Sequence, residues 1–183
     1  MAPAKLGLTI LATLALVAGG YIAIAPSCAA PGPTVTLPPE PEPLEARQAV
    51  EINGKTFELE LALTNSTRFQ GLSDRRSIDA DGGMLFVYPS ERSLGFVMRR
   101  CHVPIDIVLL DADGRVVAMH AMPVIEPIGG EEWFYPTETY SSDDPAQMAM
   151  EFKGGTLGSL DLEVGDVIDL PLDELKGRAG VKM

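Results

Sequence analysis

Hydrophobic and polar positions fall into three regimes along this chain. From Leu6 to Ala25 the sequence is uncharged and largely apolar, long enough to span a bilayer at about 1.5 Å rise per residue. Residues 26–43 then carry seven prolines among small and acidic residues. Such a segment stays extended at about 3.1 Å per residue, which allows a spacer on the order of 50 Å. From Ala49 onward the pattern is that of β-strands. Thr56 to Thr64 alternates, with Phe57, Leu59, Leu61 and Leu63 on one face and Glu58 and Glu60 on the other. Thr64-Asn65-Ser66 supplies N-cap chemistry for a short helix through Phe69 and Gln70 that ends at Gly71. Met84 to Tyr88 reads as a short buried strand closed by Pro89. Leu94 to Val103 and Ile105 to Leu110 read as strands interrupted by Pro104. Met148 to Phe152 and Val167 to Leu170 complete the strands, and Asp173 to Lys176 forms one helical turn stopped by Gly177. The implied organisation is a signal peptide or membrane anchor over 1–28, a Pro-rich linker over 29–48, a β domain over 49–172 and a tail over 173–183.

One hairpin can be placed in register. Asp111-Ala112-Asp113-Gly114-Arg115 has the chemistry of a three-residue loop with Gly114 in the left-handed position. That register pairs Asp111 with Arg115 and Ile107 with Met119, and it sets Asp106 directly across from His120.

Candidate chemistry concentrates between Gly83 and Asp111. Asp106 sits inside an apolar run, where a charge is unwelcome without a partner. In a regular strand Met98, Arg100 and His102 share one face, and Val97, Arg99 and Cys101 share the other. An Asp facing an imidazole can fix a tautomer for proton transfer. Asp106, His120, His102 and Arg99 are therefore the catalytic candidates. The alternative is that Asp106, partnered by Arg99 or by backbone amides, pins the strand crossing at Pro104. Cys101 beside Arg99 would have a lowered thiol pKa, although lone strand cysteines usually serve as small buried hydrophobes. Met122 to Asp144 is a long irregular segment with Trp133, Phe134, Tyr135 and Tyr140 among Glu126, Glu131, Glu132 and Glu138. It is either a stacking platform for sugars or an extended peptide, or a plug for one end of the β domain.

Charge and cysteine narrow the function classes. The net charge is −12, and losing Lys5 with residues 1–28 would make it −13. Phosphate binding wants a basic face, so nucleic acid is excluded as a partner. Cys28 follows Ala25-Pro26-Ser27 in the manner of a bacterial lipoprotein signal, which makes it the lipidation candidate. An uncleaved anchor and cleavage near Ala30 are the other routes, and all three export the remainder. Cys101 is then the other cysteine, so no disulfide framework can form. Two histidines and scattered carboxylates have no transition-metal ligand spacing. No calcium loop or phosphate-cradling glycine loop is present, and no cofactor is implied.

Several motifs carry a resemblance. The chain offers Arg68, Gly71, Leu72 and Arg75; then Gly83, Met84, Leu85, Phe86 and Pro89; then Phe96, Met98, Arg99, Pro104, Ile105, Asp106 and Ile107. Gly114, Val116, Tyr140, Ser142, Gly155, Thr156, Gly165 and Asp166 follow. In order and spacing this resembles the bacterial and archaeal domain of unknown function 192 family, from about Phe57 to Leu170. Val97 stands where the family favours Trp, Arg100 where it favours Asn, and Ser73 where it favours Met. The resemblance implies a mostly β, single compact sandwich or jelly-roll-like barrel with one or two short helices, and no established mechanism. Arg68, Arg75, Met98, Arg99, Asp106, Trp133, Tyr135 and Tyr140 are the ligand-binding candidates. The expected function is a membrane-tethered, non-catalytic binding or accessory module at the cell envelope, its partner a glycan, peptide or protein. The alternatives are an envelope-polymer hydrolase or lyase and a structural subunit.

Overall fold

The computed structural model describes residues 39–125, 138–142 and 144–180. The expectations for residues 1–28, including lipidation at Cys28, and those for Trp133 and Tyr135 lie outside these. Among the described residues there are eight strands: β1 (Arg47–Ile52), β2 (Lys55–Ala62), β3 (Gly82–Arg92), β4 (Gly95–Phe96), β5 (Ile105–Leu110), β6 (Val116–Met122), β7 (Tyr140–Ser141) and β8 (Ala146–Lys153). Two helices, α1 (Asn65–Gln70) and α2 (Leu172–Gly180), and a 3-10 turn at Leu157–Ser159 complete the elements. Six strands form one mixed sheet in the order β1-β2-β3-β8-β5-β6, while β4 and β7 form a separate ribbon. The mostly β expectation is met. The sheet does not close into a barrel among the described residues.

The sheet is covered on both faces, which explains the sequence pattern. Leu59, Leu85, Val108, Met150 and Phe152 face a core completed by Leu160, Ile168 and Leu175 from the C-terminal segment. Met84, Phe86, Ile107, Leu109 and Ala149 face a second core completed by Leu72, Phe96, Met98 and Tyr140. Strands buried on both sides read as continuous apolar runs, as β5 does, rather than as alternation. The β2–β3 pair is parallel, with α1 in the crossover, and the other pairs in the sheet are antiparallel.

Local chemistry sets the helix boundaries. The Thr64 hydroxyl accepts the Thr67 N–H and the Thr67 hydroxyl accepts the Thr64 N–H, a closed capping box, and α1 ends at Gly71 as expected. The second helix exceeds expectation. It runs through Gly177, because Leu175 and Ala179 share a buried stripe that outweighs the roughly 1 kcal/mol an internal glycine costs.

Three strand expectations are corrected. β3 continues through Pro89 to Arg92, with a register shift between Val87 and Arg92 that relieves Pro89 of ladder bonding. Val167 to Leu170 contributes only a single bridge, from Val167 to Arg115. Leu94 to Val103 is not one strand. After β4 the chain turns at Arg99-Arg100, with Arg100 at φ 51°, so the strand alternation assigned to residues 97–102 does not apply.

The hairpin loop forms as expected. The Asp111 N–H donates to the Arg115 carbonyl at 3.0 Å, Gly114 has φ 79°, and Asp111 Oδ1 accepts the Asp113 and Arg115 N–H groups at 2.8 Å. Beyond it, Leu110 pairs with Val116 but Leu109 pairs with Ala118, leaving Val117 as an extra residue. The Val116 N–H and carbonyl are engaged by Asp166 and Gly165, at 2.8 Å each. The one-residue shift moves His120 opposite Ile107 and Ala121 opposite Asp106. Asp106 and His120 therefore lie on opposite faces of the sheet.

Candidate functional site

The structure separates the residues proposed for catalysis. Asp106 is 2% exposed, and its Oδ2 accepts the Leu157 N–H at 2.8 Å. Leu157 opens the 3-10 turn, whose own cap residue Thr156 makes no side-chain bond. Asp106 thus caps a distant turn, the backbone-amide partnership foreseen as its structural role. His120 Nε2 meets the Ser141 carbonyl at 2.7 Å, so that nitrogen carries the hydrogen, and the ring lies 5.7 Å from Tyr140. His102 is exposed. Arg99 Nη2 donates to the Phe69 carbonyl at 2.6 Å, with the guanidinium 4.1 Å over the Phe69 ring.

The ligand-binding candidates also divide. Met98 and Tyr140 are buried in the second core. Arg75 makes a buried ion pair with Glu60 at 2.9 Å, so Glu60, expected on the polar face of β2, is buried instead. Glu60 Oε2 also accepts the Leu44 N–H at 2.7 Å, and Glu40 accepts the Arg76 N–H at 3.1 Å. This network fastens residues 40–46 onto the sheet. Arg68 Nη1 donates to the Leu63 and Val87 carbonyls, Nη2 donates to Asn65 Oδ1, and the guanidinium stacks 4.8 Å over the Tyr88 ring.

Two of these arginines flank a cleft of about 270 Å³ between the end of α1 and β4. Phe86, Tyr88 and Phe96 wall it, Phe69, Val97 and Arg99 border it, and Cys101 and Glu151 lie within. Backbone conformation builds this shape. Gly71 turns the chain out of α1 at φ 52°, where a Cβ would meet the Phe86 ring at 3.4 Å. Asp74 (φ 67°) and Arg100 (φ 51°) are both left-handed, which costs a side-chain-bearing residue about 1–2 kcal/mol. They are joined by a 2.7 Å ion pair and by the Asp74 N–H donating to the Arg100 carbonyl at 2.8 Å. That double link fastens the 97–101 turn to the segment after α1. Asn tolerates this conformation, which rationalises the family preference at position 100. Below the cleft, a Cβ on Gly83 would collide with the Glu151 carbonyl, so glycine permits β3 and β8 to close there.

Glu151 is the functional candidate missed by sequence reasoning. It lies on the second-core face of β8, between Met84 of β3 and Ile107 of β5. It is 7% exposed, and among the described residues its carboxyl has no hydrogen-bond or ion-pair partner. Burial raises its pKa to about 8, so the acid is largely protonated at neutral pH. Burial, and then the neighbouring Glu151, raise the Cys101 thiol to about 12, which removes the thiolate a nucleophile would need. Burial likewise raises Tyr88. The signal for Glu151 was available in the sequence: it is a charge within the apolar run Met148 to Phe152, as Asp106 is within its own.

A six-stranded mixed sheet covered on both faces, with a carboxyl set in a small aromatic cleft, defines a mostly β domain with a pocket under its ribbon. The chain belongs to the domain of unknown function 192 family, described as an uncharacterized ACR, whose profile matches residues 48–170. No curated protein matches it. Two solved structures are similar. A Sinorhizobium meliloti protein described as a candidate transcription regulator is 28% identical, with a TM-score of 0.59 over 70% of this chain and 97% of its own. A Novosphingobium aromaticivorans protein of unknown function is 25% identical, with a TM-score of 0.59 over 68% of this chain and 85% of its own.

Proposed function

We propose that this protein is an exported, membrane-tethered binding module of the cell envelope, held by its N-terminal segment or by lipid on Cys28, that takes a small ligand in the Glu151 cleft. The observation that carries this reading is the cleft itself: aromatic walls, an arginine at its mouth and a buried carboxyl with no partner among the described residues. Small apolar clefts with few polar groups are the usual form of a ligand site. The engagement of Asp106, His120 and Arg99 in three separate backbone contacts supports binding over hydrolysis. The apolar run before a proline-rich spacer supports tethering.

The test is a thermal-shift screen of the full chain in detergent against cell-wall fragments, polysaccharides, peptides and amines. Val97→Trp, which places the family's larger residue at the cleft mouth, runs alongside. A ligand that raises the melting temperature of the parent, but not of Val97→Trp, supports the cleft. A ligand that shifts both equally moves the site elsewhere.

A further inference from the structure

From the Glu151 cleft, and resting on its reading as a binding site, we infer that it accepts a small organic cation. The bound group is an ammonium on an apolar or aromatic stem, with Glu151 as its counter-charge. Glu151 is desolvated by burial, has no protein partner among the described residues, and keeps 7% of its surface open in the cleft lining, where an incoming cation can meet it. The two nearby cations do not satisfy this one. Arg68 donates to the Leu63 and Val87 carbonyls, and Arg99 donates to the Phe69 carbonyl. Both charges are turned away to main-chain oxygens, which leaves the carboxyl for a group from outside. The rings of Phe86 and Phe96 line the approach, and aromatic faces attract cations. The net charge of −12 favours arrival of a cation over an anion. The volume suits a side-chain-sized stem.

Tyr88 from β3 and Cys101 from the 97–101 turn interact electrostatically with Glu151, and Arg99 of the same turn and Arg68 from α1 line the same cleft. His120 of β6 shares its face one strand beyond Ile107. An ammonium requires the ionised carboxylate, so binding expels the Glu151 proton. A neutral hydrogen-bonding ligand would instead keep it.

The experiment titrates the full chain in detergent with phenylpropylamine and with phenylpropanol, which has the same stem without charge. An acetylated Phe-Lys amide is a third probe, because a free amine and a lysine side chain carry the same chemistry. The amine should bind at least about tenfold more tightly than the alcohol at pH 8. With a carboxyl pKa of about 8, its affinity should rise about 50-fold from pH 6 to pH 8 and then level. Glu151→Gln should abolish both the preference and that pH dependence; any slope left in the variant belongs to another group. The wild-type pH profile stands without the variant. Binding of the dipeptide but not the free amine would assign the cation to a peptide. Equal binding of amine and alcohol, or affinity flat with pH, would overturn the cation while leaving the cleft as a site. Failure of all three probes at millimolar concentration would also overturn it, and the reading of the cleft would then rest on the Val97→Trp screen.

Discussion

Replacing Asp106 separates architecture from chemistry, because its two simplest substitutions differ in one atom's role. Asp106→Ala removes the only acceptor for the Leu157 N–H among the described residues, a 2.8 Å bond from a side chain 2% exposed. A hydrogen bond to a charged group contributes about 1.5–3 kcal/mol, and the emptied volume adds to the loss, so about 2–3 kcal/mol of stability should disappear. For a domain of this size that lowers the melting temperature by roughly 10 °C. Asp106→Asn keeps an acceptor at the same place and relieves the burial of a charge, so it should stay within about 1 kcal/mol of the parent. Urea unfolding followed by tryptophan fluorescence or circular dichroism gives both values. Ligand binding in the Glu151 cleft should survive both changes, since Asp106 lies on the other face of the sheet. An alanine variant as stable as the parent would refute the capping role. So would an asparagine variant as damaged as alanine, which would show that the charge matters and not the acceptor.

Four further outcomes are expected. Arg75→Ala removes the 2.9 Å ion-pair partner of Glu60, which keeps the Leu44 N–H and the Arg47 guanidinium at 3.8 Å, and should lose about 1.5–3 kcal/mol, whereas replacing Arg75 and Glu60 together by apolar residues of similar volume should lose less, measured by denaturant unfolding. Glu151 has a folded pKa of about 8, above the ordinary carboxylate value, so the native state holds a proton the unfolded chain releases; stability should fall as pH rises from about 5 to 8, and Glu151→Gln should flatten that fall in melting curves. Arg100→Asn should be neutral to stabilising by up to about 1 kcal/mol, because the Asp74 pair is half-exposed and weak, while Arg100→Val should destabilise through a β-branched residue at φ 51°. Cys28→Ala should abolish incorporation of labelled palmitate in a bacterial host, and unchanged labelling would remove Cys28 as the lipid site.

What the sequence made legible was governed by distance along the chain. The α1 N-cap and the Asp111–Arg115 loop use residues within five positions of one another, and both were readable. The bulge at Val117 depends on Gly165 and Asp166, about fifty residues later, and no local pattern announces it. That single residue decided whether Asp106 and His120 met. The break at Arg99-Arg100 was hidden because arginine carries no turn signal, although the family preference for Asn at position 100 pointed to a left-handed residue. Glu60 was assigned to solvent by alternation, since the segment that covers it, residues 40–46, reads as linker. Glu151 needed no structure to be noticed: the rule that singled out Asp106 applied equally to it.

The central place of β8 has a consequence for how the molecule comes into being. β3 and β5 do not pair with each other; each finds its partner in β8, which begins at residue 146. Until that strand is available the six-stranded sheet cannot be completed, because among the described residues nothing else links β1-β2-β3 to β5-β6. Joining them requires contacts between residues far apart in sequence, and such closure is slow. A chain delivered across a membrane from its N-terminus would therefore remain unfolded for most of its passage and acquire its cooperativity only near the end. The same arrangement makes the early halves vulnerable: a product terminating before Ala146 would carry two exposed edges and have nothing to close them.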